Sequence, residues 1–219
     1  MKSLYTFLYT NLWVTLIFFV SFAHATDINL IDGIDSIEVP HHGKIVKITR
    51  NQDSQAKITG EFARTSRNCP PFCPQPISAG EGVRTIGEKE LILFMANHLK
   101  QNTGLLIDAR TASWFEKETI PGSINIPYTQ LNKKFGADDF SIEEALILFG
   151  AEKNESSDEE SWDFFDAKLL AVWCNGPWCG QSHGAIEGLL SLGYPADKIL
   201  YYRGGMQVWK IFGLTTVVP

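Results

Sequence analysis

The chain is short of positive charge. Its 19 Lys and Arg are outnumbered by 25 Asp and Glu, for a formal net charge of −6, and Lys133-Lys134 is the only adjacent basic pair. With no basic stripe to follow a phosphate backbone, a nucleic-acid role is excluded. An acidic substrate must be captured by local donors, because the overall field repels it. Long apolar runs are missing after the first 25 residues, which leaves no later segment able to span a bilayer. Cysteine is scarce, with four in 219 residues, and none of them stands at Cys-x-x-Cys spacing. Trp178-Cys179-Gly180 therefore has only a superficial likeness to a thioredoxin motif. A 44% hydrophobic content with 20% charge describes an ordinary globular chain, long enough for one sizeable domain with an appendage.

The first 25 residues read as a signal peptide. Lys2 supplies a thin positive region, Leu12 to Val20 an apolar one, and Ala23-His24-Ala25 fits a small-residue cleavage pattern, so the mature chain starts at Thr26. The expected product is secreted into the periplasm, a disulfide-permissive compartment, with no membrane span after cleavage.

Cys174 is the most informative residue. It closes the apolar run Leu169-Leu170-Ala171-Val172-Trp173 and opens Asn175-Gly176-Pro177-Trp178-Cys179-Gly180-Gln181-Ser182, after which a helical pattern begins. A thiol at such a strand-to-helix loop faces converging N–H groups and the positive helix end, which favour the nucleophilic thiolate. Three conformational specialists, Gly176, Pro177 and Gly180, mark the loop as more than a connection. Asn175, Gly176, Trp178, Gly180, Gln181 and Ser182 form the expected anion cradle, with Trp178 an exposed apolar lip. His183, in the first helical turn, reads as an exposed residue or as a neutral proton donor to departing sulfur.

Along the mature chain, residues 26–82 differ from the rest. Ser36–Val39 and Lys44–Thr49 read as a hairpin about His41-His42-Gly43, with His41 and His42 exposed in the turn, and Lys57–Phe62 as a third strand. Cys69-Pro70-Pro71-Phe72-Cys73-Pro74-Gln75-Pro76 then breaks all periodicity as a stiff strap. From Val83 onward strands and helices alternate: a helix over Glu88–Leu99, a buried strand over Leu105–Asp108, and a helix opened by a Ser141–Glu144 capping box. Residues 152–160 are an acidic insertion containing the sequon Asn154-Glu155-Ser156, with Trp162, Phe164 and Phe165 as core anchors after it. Leu169–Trp173, Ser182–Leu192, Ile199–Tyr202 and Met206–Phe212 complete the pattern. The expected fold is α/β, a parallel sheet with helices on both faces and a small N-terminal β appendage. Asp108 and Cys174 fall at the carboxyl ends of strands, where such sheets bind ligands.

Leu106-Ile107-Asp108-Ala109-Arg110 with Phe115 and Ile120-Pro121-Gly122-Ser123-Ile124-Asn125-Ile126-Pro127, then Val172-Trp173-Cys174 with Gly193-Tyr194, then Tyr202-Arg203-Gly204-Gly205-Met206 with Trp209 and Gly213, resemble three signatures of the rhodanese-like family. The resemblance covers 83–219. It implies a sulfurtransferase in which Cys174 carries sulfane sulfur as a persulfide, with a small sulfur donor, a thiol acceptor and neither organic cofactor nor metal. The loop departs from the family in being longer and in lacking Arg and Lys. A doubly charged donor such as thiosulfate would need Arg110 or Arg203 to swing in, with Asp108 orienting Arg110 or the loop. The lack of Arg at Gly180 disfavours phosphatase chemistry, which needs a fixed guanidinium.

The remaining cysteines leave alternatives open. Cys179 is either a resolving thiol for a Cys174 persulfide or its partner in a resting disulfide. Cys69 and Cys73 form a local disulfide, bind a metal with His41 or His42, or serve as redox partner of Cys174. A Pro-Pro spacer in extended geometry holds their Cα atoms beyond disulfide reach unless Phe72 turns sharply, so a local disulfide would be strained. The strap is expected to cross the carboxyl-end face of the sheet beside the active loop. A rival reading is a non-catalytic binding or thiol-redox module that uses this strap to recognise a periplasmic protein partner.

Overall fold

The computed structural model describes residues 27–154 and 161–219. The signal-peptide reading and Glu155-Ser156 of the sequon lie outside the described residues. Five parallel strands form the central sheet: β3 (Arg84–Ile86), β4 (Gly104–Asp108), β5 (Ser123–Asn125), β8 (Leu169–Trp173) and β9 (Ile199–Tyr202), in the order β3-β9-β8-β4-β5. Side-chain alternation divides each strand between two cores. Leu106, Ala171, Trp173, Leu200 and Tyr202 face α1 (Glu88–Phe94) and α6 (Gly205–Ile211). Leu105, Ile107, Leu170, Val172, Ile199 and Tyr201 face α4 (Asp139–Leu148) and α5 (Gln181–Ser191). These near-continuous apolar runs are what a parallel sheet covered on both faces requires. Burial of each large aliphatic side chain contributes about 1.5–3 kcal/mol.

Register sets the site. Asp108 pairs with Trp173, and Trp173 with Tyr202, so three strands end level. The residues just past them, Ala109-Arg110, Cys174-Asn175 and Arg203, therefore emerge along one edge.

The hairpin of β1 (Ile37–His41) and β2 (Lys44–Ile48) is present, with His42 and Gly43 at positive φ in its turn. It is not a separate core, since Leu30, Val39, Ile48 and Phe62 pack into the α1/α6 side of the main sheet. His41 is buried, and its Nδ1 accepts the Gly122 N–H at 3.1 Å. This corrects the exposed-turn reading, because the hairpin tip folds against the loop before β5. The expected third strand does not form. Residues 60–63 make a short 3-10 turn that lowers Phe62 into the core. Helix α4 starts earlier than its Ser141 signal, because Asp138 is the cap and accepts the Ser141 N–H at 2.7 Å. The ends of the acidic insertion pair as β6 (Glu152–Asn154) and β7 (Ser161–Asp163). Trp162 and Phe164 pack against the core, whereas Phe165 is 86% exposed and anchors nothing. Two short helices had no clear periodic signal, α2 (Ala112–Phe115) and α3 (Tyr128–Leu131).

Candidate active site

Cys174 follows β8 directly and lies at the amino end of α5, the arrangement in which strand, loop and helix dipole meet at one sulfur. The loop is held from below by α6. Met206 N–H donates to the Cys174 carbonyl at 3.0 Å and Gln207 N–H to the Asn175 carbonyl at 2.9 Å. This contact requires Gly205, whose φ is +56° and whose added β-carbon would collide with the Cys174 carbonyl.

Cys174 is 2% exposed and Cys179 beside it 3%. Cys174 Sγ lies 3.0 Å from Ser182 Oγ and 3.1 Å from the Cys179 carbonyl oxygen. Burial pushes the Cys174 thiol up, but hydrogen bonds from Cys179, from Ser182 through hydroxyl and N–H, and from the Gly176 N–H outweigh it and bring it down to about 7. Cys179 moves the other way: burial and the neighbouring Cys174 sulfur push it well above the ordinary thiol range. Of the two sulfurs, Cys174 is the one that ionises near neutral pH while Cys179 stays protonated, which makes Cys174 the candidate nucleophile.

Asn175 joins this pair to a buried charge. Its Oδ1 accepts from Arg110 Nη1 at 3.2 Å and its Nδ2 faces Cys179 Sγ at 3.9 Å. Arg110 itself is fully buried, bound to Asp108 through Nε at 2.8 Å and Nη2 at 2.6 Å, and covers the Trp173 ring at 4.6 Å. Its Nη2 also reaches the Glu118 carbonyl at 2.7 Å. Arg110 is therefore not a cation that swings toward substrate, since each of its three nitrogens is hydrogen-bonded within the fold. Asp108 serves it, with Thr119 Oγ1 donating to the second carboxylate oxygen at 2.9 Å.

Arg203 is likewise engaged, by the strap. Its Nη2 donates to the Gln75 carbonyl at 2.8 Å and its Nε to the Pro76 carbonyl at 3.4 Å. Gln75 N–H donates to the Pro177 carbonyl at 2.8 Å, which seats the strap on the active loop. Gly180 lies beneath the same glutamine, where a β-carbon would meet the Gln75 amide at 3.5 Å. Gln181 turns its Oε1 toward Cys179 Sγ at 3.7 Å.

Trp178 is half-buried and not the exposed lip expected from sequence. Its Nε1–H donates to Gln207 Oε1 at 2.7 Å, Phe72 meets its ring edge-on at 5.2 Å, and the Arg67 guanidinium lies 3.9 Å from its centre. Arg67, Gln75 and Gln207 carried no sequence signal, because each is an isolated polar residue that acts only through a contact distant in the chain.

Cys69 and Cys73 are joined in a disulfide with Cα atoms 5.0 Å apart. The extended-spacer argument fails because residues 69–71 form a turn. The pair is thereby removed from the metal reading, and no His/Cys/Asp/Glu cluster suited to a metal occurs among the described residues. His183 is half-buried, its ring 4.8 Å from that of Tyr201, which corrects its exposed reading. Burial and the nearby Arg203 lower its affinity for a proton, so it is neutral at pH 7.

Fold and site together define a class: a parallel α/β domain that carries a buried, readily ionised cysteine in the loop between a strand and a helix. The family model of the Rhodanese-like domain matches residues 94–211, and the chain belongs to that family. No curated protein matches it significantly. Solved structures similar to it include a human single-domain sulfurtransferase, 25% identical over 59% of this chain and 96% of that one with a TM-score of 0.36. A Saccharomyces cerevisiae single-domain sulfurtransferase is 17% identical over 60% and 91%, with a TM-score of 0.41. A rhodanese-related protein of Thermoplasma volcanium is 21% identical over 62% and 99%, with a TM-score of 0.38.

Proposed function

We propose that the protein is an exported sulfurtransferase that carries sulfane sulfur as a persulfide on Cys174. The observation that carries this reading is the enclosed Cys174 sulfur, faced by Ser182 and the Gly176 N–H and brought down to about 7. In the loading step the Cys174 thiolate attacks the outer sulfur of a donor persulfide. A Cys174–S bond forms, the donor S–S bond breaks and the donor leaves as a thiolate. In the unloading step an acceptor thiolate attacks the same sulfur and Cys174 leaves as thiolate. The donors that stabilise the resting thiolate also stabilise it as leaving group.

Donor choice follows from the engaged arginines. Arg110 and Arg203 are both bound within the fold. A singly charged or neutral persulfide donor suits this site better than thiosulfate, whose second charge meets no mobile cation. Export is supported by the N-terminal apolar segment, with Thr26 starting the mature periplasmic chain, and by the Cys69–Cys73 disulfide. Exposing reduced protein to a sulfane-sulfur donor and measuring its mass should show one added sulfur, located at Cys174. The Cys174→Ser variant should take up none, and undiminished transfer by that variant would refute the proposal.

A second reading, a thiol-redox module with a periplasmic protein partner, is favoured by one observation: Cys179 sits against Cys174 and can close a disulfide with it. Persistence of a Cys174–Cys179 disulfide after donor treatment, with no added sulfur at any time, would select that reading.

A further inference from the structure

Four buried side-chain polar atoms among the described residues lack a hydrogen-bond partner, and two of them belong to residues around the active loop: Tyr201 Oη and His183 Nε2, the latter next to Ser182 in the chain. Tyr201 is 1% exposed, lies in the middle of β9, and is within electrostatic reach of both Cys174 and Ser182. Its ring is in contact with the His183 ring, centroid to centroid 4.8 Å. Ser182 Oγ is 3.0 Å from Cys174 Sγ. Ser182 thus neighbours both the sulfur and Tyr201, and Tyr201 neighbours His183, which follows Ser182 in α5. An orphaned buried donor is expensive, about 1–3 kcal/mol, so two side by side next to a reactive thiol call for an explanation.

We propose that Tyr201 and His183 are positioning residues that hold Ser182 as a hydrogen-bond donor to the Cys174 thiolate. The direction of the chain follows from its donors. A thiolate can only accept, so Ser182 must turn its O–H toward the sulfur. The Ser182 oxygen then accepts from the Tyr201 O–H, and the Tyr201 oxygen accepts from the Nε2–H of neutral His183. Each bond polarises the next, and all three point at the negative charge. When Cys174 is a thiol its S–H is satisfied by the Cys179 carbonyl, and the chain has no charge to organise it. This explains why the two orphans are tolerated: they are used in the ionised state.

The charged and titratable surroundings fit this direction. Cys179 stays a thiol beside the sulfur. The Asp108–Arg110 pair reaches the loop through Asn175, and Arg203, at the end of β9, opposes protonation of His183. Burial keeps the Tyr201 phenol protonated, hence a donor.

The experiment is the pH dependence of Cys174 alkylation by iodoacetamide, followed by peptide mass spectrometry on the full mature chain. The inference rests on Cys174 being the nucleophile of the proposed reaction, but alkylation needs no sulfur donor, so the two can fail separately. Tyr201→Phe should raise the midpoint by about one pH unit, slowing alkylation at pH 6.5 by up to about tenfold while leaving the rate at pH 10 within about twofold. The same substitution in a Ser182→Ala background should add no further shift. At the half-buried edge, where folding is least at risk, His183→Leu should shift the midpoint upward and His183→Gln, which keeps an N–H donor, should restore it. A Tyr201→Phe profile superimposable on that of the unaltered protein would overturn the proposal. So would a His183→Leu profile indistinguishable from that of His183→Gln.

Discussion

The guanidinium of Arg67 lies 3.9 Å from the centre of the Trp178 ring, and with Phe72 it clasps the strap to the active loop. Arg67 is held in turn by the Glu61 carbonyl, at 2.6 Å from Nη2. The contact joins the N-terminal extension to the loop that carries the sulfur.

Arg67→Ala should therefore loosen the cover. A desolvated cation–π contact contributes about 1–2 kcal/mol, so the melting temperature should fall by a few degrees. Cys174 alkylation at pH 8 should accelerate several-fold, since the thiolate is formed there and only access limits it. An unchanged alkylation rate would show that the strap does not gate the sulfur.

Asp108→Asn should be severe for stability rather than for chemistry. It leaves the guanidinium of Arg110 buried without its carboxylate, a change that typically costs about 3–5 kcal/mol. The expected result is a urea midpoint well below that of the unaltered protein and a melting temperature lowered on the order of 10 °C. A near-normal midpoint would mean that Asn175 and the Glu118 carbonyl suffice for Arg110.

Cys179→Ser should still load sulfur on Cys174 but hold it longer. If Cys179 is the resolving thiol, its sulfur attacks Sγ of the Cys174 persulfide, expels hydrosulfide and leaves a Cys174–Cys179 disulfide, so that the sulfane sulfur departs as sulfide. Sulfide release by single-turnover assay should fall several-fold in the variant. Equal release would remove the resolving role from Cys179.

His41 supplies a pH dependence of stability. Burial, then repulsion from His42, lowers its proton affinity below the ordinary 6.5. The unfolded chain then binds the proton first, so stability is full above about 6.5 and declines as pH falls from there through the lower folded value. His41→Gln should make the decline of the denaturation midpoint between pH 6.5 and 5 shallower. An unaltered slope would assign it to other groups, His183 first among them.

Much of this architecture was legible because periodicity is local. The run Leu169–Trp173 is the observed β8 to the residue, and the strand ends it implied do place Asp108 and Cys174 on one edge. The strap was legible in direction, since its prolines make it stiff and it leads into the domain, and it does rest on the active loop through Gln75 and Pro177. What escaped was contact-dependent. Arg110 and Arg203 read as available cations because a sequence does not show what fills a guanidinium fork. Lys57–Phe62 read as a strand because β-formers cluster there, yet the segment turns at residues 60–63 and Phe62 enters the core beside α6 instead. Tyr201 read as one more apolar strand residue, its hydroxyl invisible until the strand was placed beside Ser182.

The four sulfurs sit at different depths, Cys69 in solvent and Cys174 and Cys179 enclosed. Depth becomes timing when a small reductant or oxidant arrives. The Cys69–Cys73 bond lies on the outer side of the turn whose Phe72 rests on Trp178, and Cys174 lies in the loop beneath, so depth ranks the four sulfurs in the order in which a reagent can meet them.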